Sequence, residues 1–274
     1  MSKKLLGVIS VSAALLAAPL AASAADLGVP YMKAPPPPPV MSWTGCYVDG
    51  GWGYGMWNQD HYTTFPTAPI GGLTSTVTTT DGGRGWMGKF GGGCDYQTPW
   101  FNHRVVIGAF ADWDPMNLHG SNSPSEVFAF GAPFGTTPIT ANEKETSAWF
   151  VGARAGYLVT PSFMTYFDGG YTRTRFTQTG EFSTLSGAPD GFAYPNFSDG
   201  GWFLGSGFEY ALNDWVPFRG LFLQTEYRYS QYSRRTLTEF NIATGAPTPN
   251  SEVTRPYVQT VTTALVWKFN WTGR

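Results

Sequence analysis

Large apolar and small polar side chains alternate through residues 256–269. Tyr257, Val261, Leu265, Trp267 and Phe269 share one parity, and Thr260, Thr262, Ala264 and Lys268 share the other. A period of two marks a two-faced β-strand, because successive side chains point to opposite faces of a sheet. The pattern predicts eight strands, over residues 43–57, 84–97, 105–114, 147–158, 163–176, 202–212, 221–231 and 257–269. The intervals between them alternate in length. Residues 58–83, 115–146, 177–201 and 232–256 are long and rich in Thr, Pro, Gly and Phe. Residues 98–104, 159–162 and 213–220 are short and carry turn residues such as Thr160-Pro161-Ser162 and Asn213-Asp214.

Long and short connections in alternation predict an all-β fold: a closed, antiparallel, up-and-down transmembrane β-barrel of eight strands, with long external loops and short periplasmic turns. Glycine fits this. Gly50, Gly51, Gly53 and Gly55 sit in the first strand, Gly88, Gly91, Gly92 and Gly93 in the second, and Gly205 and Gly207 in the sixth. Glycine weakens a strand, but in a narrow barrel small inward residues leave room for bulky neighbours. Composition separates this barrel from a soluble sandwich. Charged residues make up 13% of the chain, about half the ~25% usual in soluble domains. The mean hydropathy is nevertheless slightly negative, as expected when apolar and polar faces cancel.

The amino terminus supplies the route. Ser2-Lys3-Lys4 is a basic n-region, residues 5–20 an apolar stretch, and Ala22-Ser23-Ala24 a small-x-small cleavage site. This reads as a signal peptide over residues 1–24, cut after Ala24. Pro35 to Pro39 form an uninterrupted proline run, so residues 25–42 are expected to form a stiff periplasmic arm. The barrel then occupies residues 43–274. The formal charge is −2, and losing Lys3 and Lys4 makes the exported chain more acidic still, which argues against nucleic acid as a partner.

The inward parity collects Asp49, Lys89, Asp95, Asp112, Arg154, Asp168, Glu209, Glu226, Arg228 and Lys268. These charges fit a salt-bridged core, since buried charges need partners and an eight-stranded barrel is about filled by side chains. The alternative is a charged constriction in a pore. Most strand Trp and Tyr residues, among them Trp52, Trp113, Trp149, Trp202 and Trp267, fall on the outward parity and read as membrane-interface anchors. Phe128, Phe130 and Phe134 lie in a long loop and would mark a contact surface.

Cys46 and Cys94 both take the outward parity, near the periplasmic ends of the first two strands. An oxidising compartment favours a disulfide between them; the alternative is two free thiols replacing aromatic belt residues. His61, His103 and His119 are the only histidines, and no His or Cys stands within four residues of another. His119 lies near Ser121 and Ser123, a weak catalytic hint. No phosphate loop, dinucleotide fingerprint or calcium loop is present. The expectation is no catalytic residue, no metal and no cofactor.

Six stretches resemble one family. They are Trp43-Thr44-Gly45-Cys46-Tyr47-Val48-Asp49-Gly50-Gly51, Gly91-Gly92-Gly93-Cys94-Asp95-Tyr96-Gln97, Ala153-Arg154-Ala155-Gly156-Tyr157 with Tyr166-Phe167-Asp168-Gly169-Gly170, Gly201-Trp202 through Glu209-Tyr210-Ala211-Leu212 and Asp214-Trp215, Glu226-Tyr227-Arg228-Tyr229, and Trp267-Lys268-Phe269. In this order they resemble the alphaproteobacterial small outer-membrane barrels, the porin-like opacity and major surface antigens. The resemblance implies an eight-stranded barrel in the outer membrane of a Gram-negative cell. Its partners would be outer-membrane lipid, lipopolysaccharide and the barrel assembly machinery, which reads a C-terminal aromatic signal, here Trp267 and Phe269. The chain departs at Cys46, where the family prefers Phe, at Cys94, where it prefers Tyr, and in the five residues after Phe269. The functional reading is a structural barrel that supports the envelope and presents its loops outside. A narrow porin is the alternative, and a lipid-modifying enzyme a third from another class. A cup for an apolar ligand is disfavoured, because the inside is charged.

Overall fold

The computed structural model describes residues 42–67, 72–75, 78–100, 103–122, 139–183, 186–212, 215–216 and 220–269. The expected signal peptide, nearly all of the proline-rich arm, Phe128, Phe130, Phe134 and the tail after Phe269 lie outside the described residues.

Among the described residues the chain forms strands β1 (Gly45–Thr67), β2 (Gly72–Ser75), β3 (Thr79–Trp100), β4 (His103–Asn122), β5 (Ile139–Thr160), β6 (Phe163–Ser183), β7 (Phe192–Ala193), β8 (Phe197–Ala211), β9 (Leu221–Tyr232), β10 (Arg235–Asn241) and β11 (Pro247–Phe269). Eight of them close a ring in the order β1-β3-β4-β5-β6-β8-β9-β11, and β11 pairs back onto β1. Every pairing is antiparallel. The closing seam runs from Cys46 opposite Phe269 to Thr64 opposite Ser251. The three short strands extend the wall at one end: β2 pairs with β1, β10 with β11 and β7 with β10.

The strands overrun their predicted limits chiefly on the external side; at the periplasmic end β3, β4 and β5 run only two or three residues past them. Much of the four stretches expected to be long loops is strand, including Asn58–Thr67 in β1, Pro115–Asn122 in β4, Ile139–Thr146 in β5 and Pro247–Pro256 in β11. A membrane crossing needs about 9–11 residues, whereas β1 and β11 have 23 each. The wall therefore continues well beyond the bilayer. Above the membrane the outward face no longer needs apolar side chains, so the alternation that marks a strand in sequence fades. The β-branched threonines there still favour extended backbone.

Side-chain direction follows the period of two. Trp52, Trp86, Trp113, Trp149, Tyr171, Trp202 and Trp267 are exposed on the outer wall, and Phe269 is exposed while Lys268 beside it is buried. Trp43, Tyr47, Phe110, Phe150, Tyr166 and Phe203 point inward and are buried.

Cys46 lies directly opposite Cys94 in the β1–β3 ladder, and the two form a disulfide. The bond closes a separation of 48 residues. In the chain-entropy account such a closure contributes about 4 kcal/mol, less any strain. Thiol labelling of the denatured, unreduced protein is expected to modify neither cysteine. The Cys46→Ser/Cys94→Ser pair is expected to unfold at lower denaturant than wild type. Two labelled cysteines per chain would contradict the bond.

Candidate functional site: a layered lumen

All ten charged residues assigned to the inward parity are buried. The ring brings them together in two layers. Asp95, Arg154, Glu209 and Lys268 come from β3, β5, β8 and β11, which are alternate members of the ring. Asp49, Asp112, Asp168, and Glu226 with Arg228 come from the other four members, β1, β4, β6 and β9. Lys89 joins them from β3. Strand stagger in a barrel places inward residues of alternate strands at the same height, which yields this division.

The periplasmic layer is a closed circuit of alternating sign. Arg154 Nε donates to Asp95 Oδ1 at 2.8 Å, and its Nη1 lies 3.2 Å from Glu209 Oε2. Lys268 Nζ lies 2.9 Å from Asp95 Oδ2 and 2.8 Å from Glu209 Oε1. Each carboxylate thus touches both cations. Aromatic faces complete the cations' surroundings: Arg154 sits 4.5 Å from the Tyr47 ring centre, and Lys268 sits 4.5 Å from Trp43 and 4.8 Å from Phe222. Trp43 forms the floor. Its amide donates to Gln97 Oε1 at 2.9 Å and its indole to the Pro161 carbonyl at 3.0 Å.

In the next layer Lys89 Nζ lies 3.4 Å from Asp112 and 3.3 Å from Glu226. Arg228 Nη2 reaches Asp112 at 2.6 Å, and its Nε reaches Asp168 at 3.3 Å and also pairs with Glu226. The Tyr166 hydroxyl donates to Glu226 at 2.8 Å. Phe110, Phe150 and Phe203 face the Arg228 guanidinium within 5.3 Å. Two glycines make room for these carboxylates. A Cβ on Gly91 would stand 2.0 Å from Asp112 Oδ1, and one on Gly205 would stand 2.2 Å from Asp168 Oδ1. Each glycine is the direct cross-strand partner of the aspartate it accommodates.

Farther out, among the described residues, no lysine or arginine is buried. Trp57, Phe176 and Phe197 form an aromatic shelf, with ring centres 5.6 Å and 5.1 Å apart in succession. Beyond the second charged layer stand the buried carboxylates of Asp114, Glu143, Glu145, Glu181, Glu239 and Glu252. His61 is among them, with Nε2 at 3.1 Å from Asp81 and Nδ1 at 3.3 Å from Glu252. The sequence pattern did not single out Glu143, Glu145, Glu181, Glu239 and Glu252 because they lie in segments expected to be loops, whereas Asp114 was missed although it ends the predicted third strand on the parity of Asp112. The pattern also passed over the inward aromatics, whose parity already placed them in the lumen.

His119 does not join a catalytic group with Ser121; its ring bonds to Asn117 at 2.9 Å on the outer surface. Among the described residues no cluster of His, Cys, Asp and Glu has the makings of a metal site.

Three comparisons bear on identity. The model of the outer membrane protein beta-barrel domain matches residues 10–269. The 31 kDa outer-membrane immunogenic proteins of Brucella melitensis and Brucella suis are each 30% identical over 241 residues, covering 84% of this chain and 90% of the relative. Among solved structures, the outer membrane protein OprG of Pseudomonas aeruginosa has a TM-score of 0.48 at 12% identity, covering 82% of this chain and 97% of its own. The outer membrane protease OmpT of Escherichia coli has a TM-score of 0.42 at 10% identity, covering 84% and 99%.

Replacing one member of a buried ion pair leaves its partner uncompensated and costs roughly 3–5 kcal/mol. Arg154→Met is expected to lower unfolding stability in lipid vesicles by about that amount. A loss below about 1 kcal/mol, the range of exposed pairs, would mean that water already reaches these charges.

Glu181 lies near the external end of β6, outside the membrane. Burial, together with the carboxylates of Glu239, Asp190 and Glu252, pushes it up to about 9 from 4.5. The folded chain holds that proton where the unfolded chain has released it. The contribution is therefore full below pH 4.5 and declines as pH rises through 9. Amide exchange at Ala193 and Phe240, paired across β7 and β10, is expected to show faster opening at pH 9 than at pH 6 once intrinsic rates are divided out. Glu181→Gln should abolish that difference.

Proposed function

The chain belongs to the outer membrane protein β-barrel domain family, which places it in the outer membrane of a Gram-negative cell, and on that premise we propose that it is a closed, non-enzymatic structural barrel. It crosses the membrane as a plugged cylinder and carries its wall outward as a surface for contacts outside the cell. One observation supports this most directly. The space among Tyr47, Asp49, Lys89, Phe110, Arg154 and Arg228 leaves no volume for a water molecule. A path for solute would have to part both charged layers, and each cation there is held by at least two carboxylates. That the Brucella relatives are immunogenic outer-membrane proteins agrees with an externally displayed wall.

The porin reading has one observation in its favour: the acidic outer lumen would concentrate cations at the mouth of any path that opened. Planar-bilayer recording separates the two. Wild type is expected to give no unitary conductance steps, and Lys89→Ala/Arg228→Ala is expected to give them, because the second layer loses both its cations. Regular steps from wild type would establish a pore and end the structural reading.

A further inference from the structure

The external lumen buries acid, and the chain brings it no buried base. Among the described residues beyond the second charged layer, carboxylates such as Glu145 and Glu252 are 0% exposed, and no lysine or arginine is buried. The segments that join the strands at this end but lie outside the described residues, 68–71, 76–77, 123–138 and 184–185, contain neither lysine nor arginine. They have no cation to offer the chamber.

A set of orphaned polar atoms is more specific than the charge. Gln59 is 1% exposed, and neither its Oε1 nor its Nε2 has a hydrogen-bond partner. Asn122 Oδ1, Glu252 Oε2 and Thr254 Oγ1 also lack partners, on residues no more than 1% exposed. Strand register gathers these residues. Gln59 and His61 are successive inward residues of β1. Gln59 lies opposite Asp81 of β3, and His61 lies opposite Thr254 of β11. His61 Nδ1 is 3.3 Å from Glu252 Oε1, and Asn122 Nδ2 donates to that same oxygen at 2.5 Å. Below Gln59 on the same face, Trp57 is fully buried and gives its indole N–H to the Leu118 carbonyl at 3.2 Å. It closes the floor without satisfying the atoms above it. Asp81, 3.1 Å from His61 Nε2, has a side chain 27% exposed and marks the open edge.

The shortage is of donors and of positive charge together. Four of the orphaned atoms are oxygens that can accept, and Glu252 is a carboxylate. A buried polar group left unpaired costs free energy, and each such group in a folded chain calls for an explanation. A primary ammonium carries three N–H donors, a positive charge and no acceptor. A metal ion matches less well, because no cluster of His, Cys, Asp and Glu among the described residues has the makings of a metal site. We propose that this chamber binds a small external solute through its primary ammonium group, with Glu252 balancing the charge and Gln59, Asn122 and Thr254 accepting N–H bonds. Asp81 at the edge attracts the cation on its way in. The site lies above both ion-paired layers, so it stands whether or not the lumen conducts.

The test uses the full chain, folded in neutral detergent and titrated calorimetrically with n-propylammonium at constant ionic strength. Saturable binding is expected. Tetramethylammonium has the same charge but no N–H donor, and is expected to bind about tenfold more weakly or worse. Gln59→Leu removes the orphaned amide at similar volume, and Glu252→Gln removes the charge; each should weaken n-propylammonium by about tenfold or more. Stability separates a ligand-binding amide from a structural one. An unpaired buried amide is replaced by an apolar side chain without loss, so Gln59→Leu without amine should unfold at no lower denaturant than wild type. A destabilised Gln59→Leu would mean that the amide serves the fold, and would overturn the proposal. Displacement of n-propylammonium by an equal concentration of calcium would mark a hard-cation site and overturn the ammonium assignment. Heat-modifiable gel mobility checks that each variant is folded. Equal binding of the two organic cations by wild type, or no saturable binding of n-propylammonium, overturns the proposal without reference to any variant.

Discussion

Inside a bilayer no backbone amide can be left without a partner, and a sheet satisfies that demand only by closing on itself. In this chain the demand is met at the β1–β11 seam, where a continuous run of residues pairs from Cys46 opposite Phe269 upward. Everything else in the membrane follows from that closure. It fixes which parity faces lipid, because a slip of one residue would turn every side chain of β11 to the other face. Lys268 would then stand in lipid and Phe269 in the charged layer. The Cys46–Cys94 bond fastens the neighbouring β1–β3 ladder at the same end.

Closure also decides what the charges can do. Ten of them are brought into the lumen and buried there, where a charge needs a partner, and nine of the ten are ion-paired. The alternating origin of the two layers is the geometric means. Because neighbouring strands deliver side chains at staggered heights, cations and carboxylates from alternate strands meet across the axis without crowding their sequence neighbours. Where crowding would still occur, glycine stands beside aspartate: Gly91 next to Asp112 and Gly205 next to Asp168. The glycine content of the strands is thus part of the electrostatics, because a methyl group at either position would displace a carboxylate.

The membrane-spanning part of this arrangement was legible in the sequence, because lipid enforces a strict contrast between faces. The parity of Asp49, Lys89, Asp95 and the others follows from that contrast, and so does the pairing of two outward cysteines at similar height. The external part was not legible. There both faces of the wall carry polar residues, so Asn58–Thr67 or Ile139–Thr146 look like loop in any reading based on hydrophobic period. The buried acids Glu143, Glu145, Glu181 and Glu252 were hidden for the same reason. No single residue of the layers reveals which partner it meets across the barrel. Arg154 and Glu209 are separated by more than fifty positions, and only the stagger of the closed ring brings them to 3.2 Å.

The sorting of charge at the external end then has a physical consequence for the molecule as a whole. A carboxylate-lined lumen above the two ion-paired layers, wrapped by an arginine-bearing wall, produces a field directed across the sheet itself. Some wall strands there carry acid on the inner side and base on the outer, as Glu143 and Lys144 do on β5 and Glu252 and Arg255 do on β11. Screening by salt acts within about 8–10 Å in water, so the two faces are shielded differently: the outer face by whatever anions border it, the inner by protons or cations drawn into the well. The raised proton affinity of Glu181 is one sign of the inner demand.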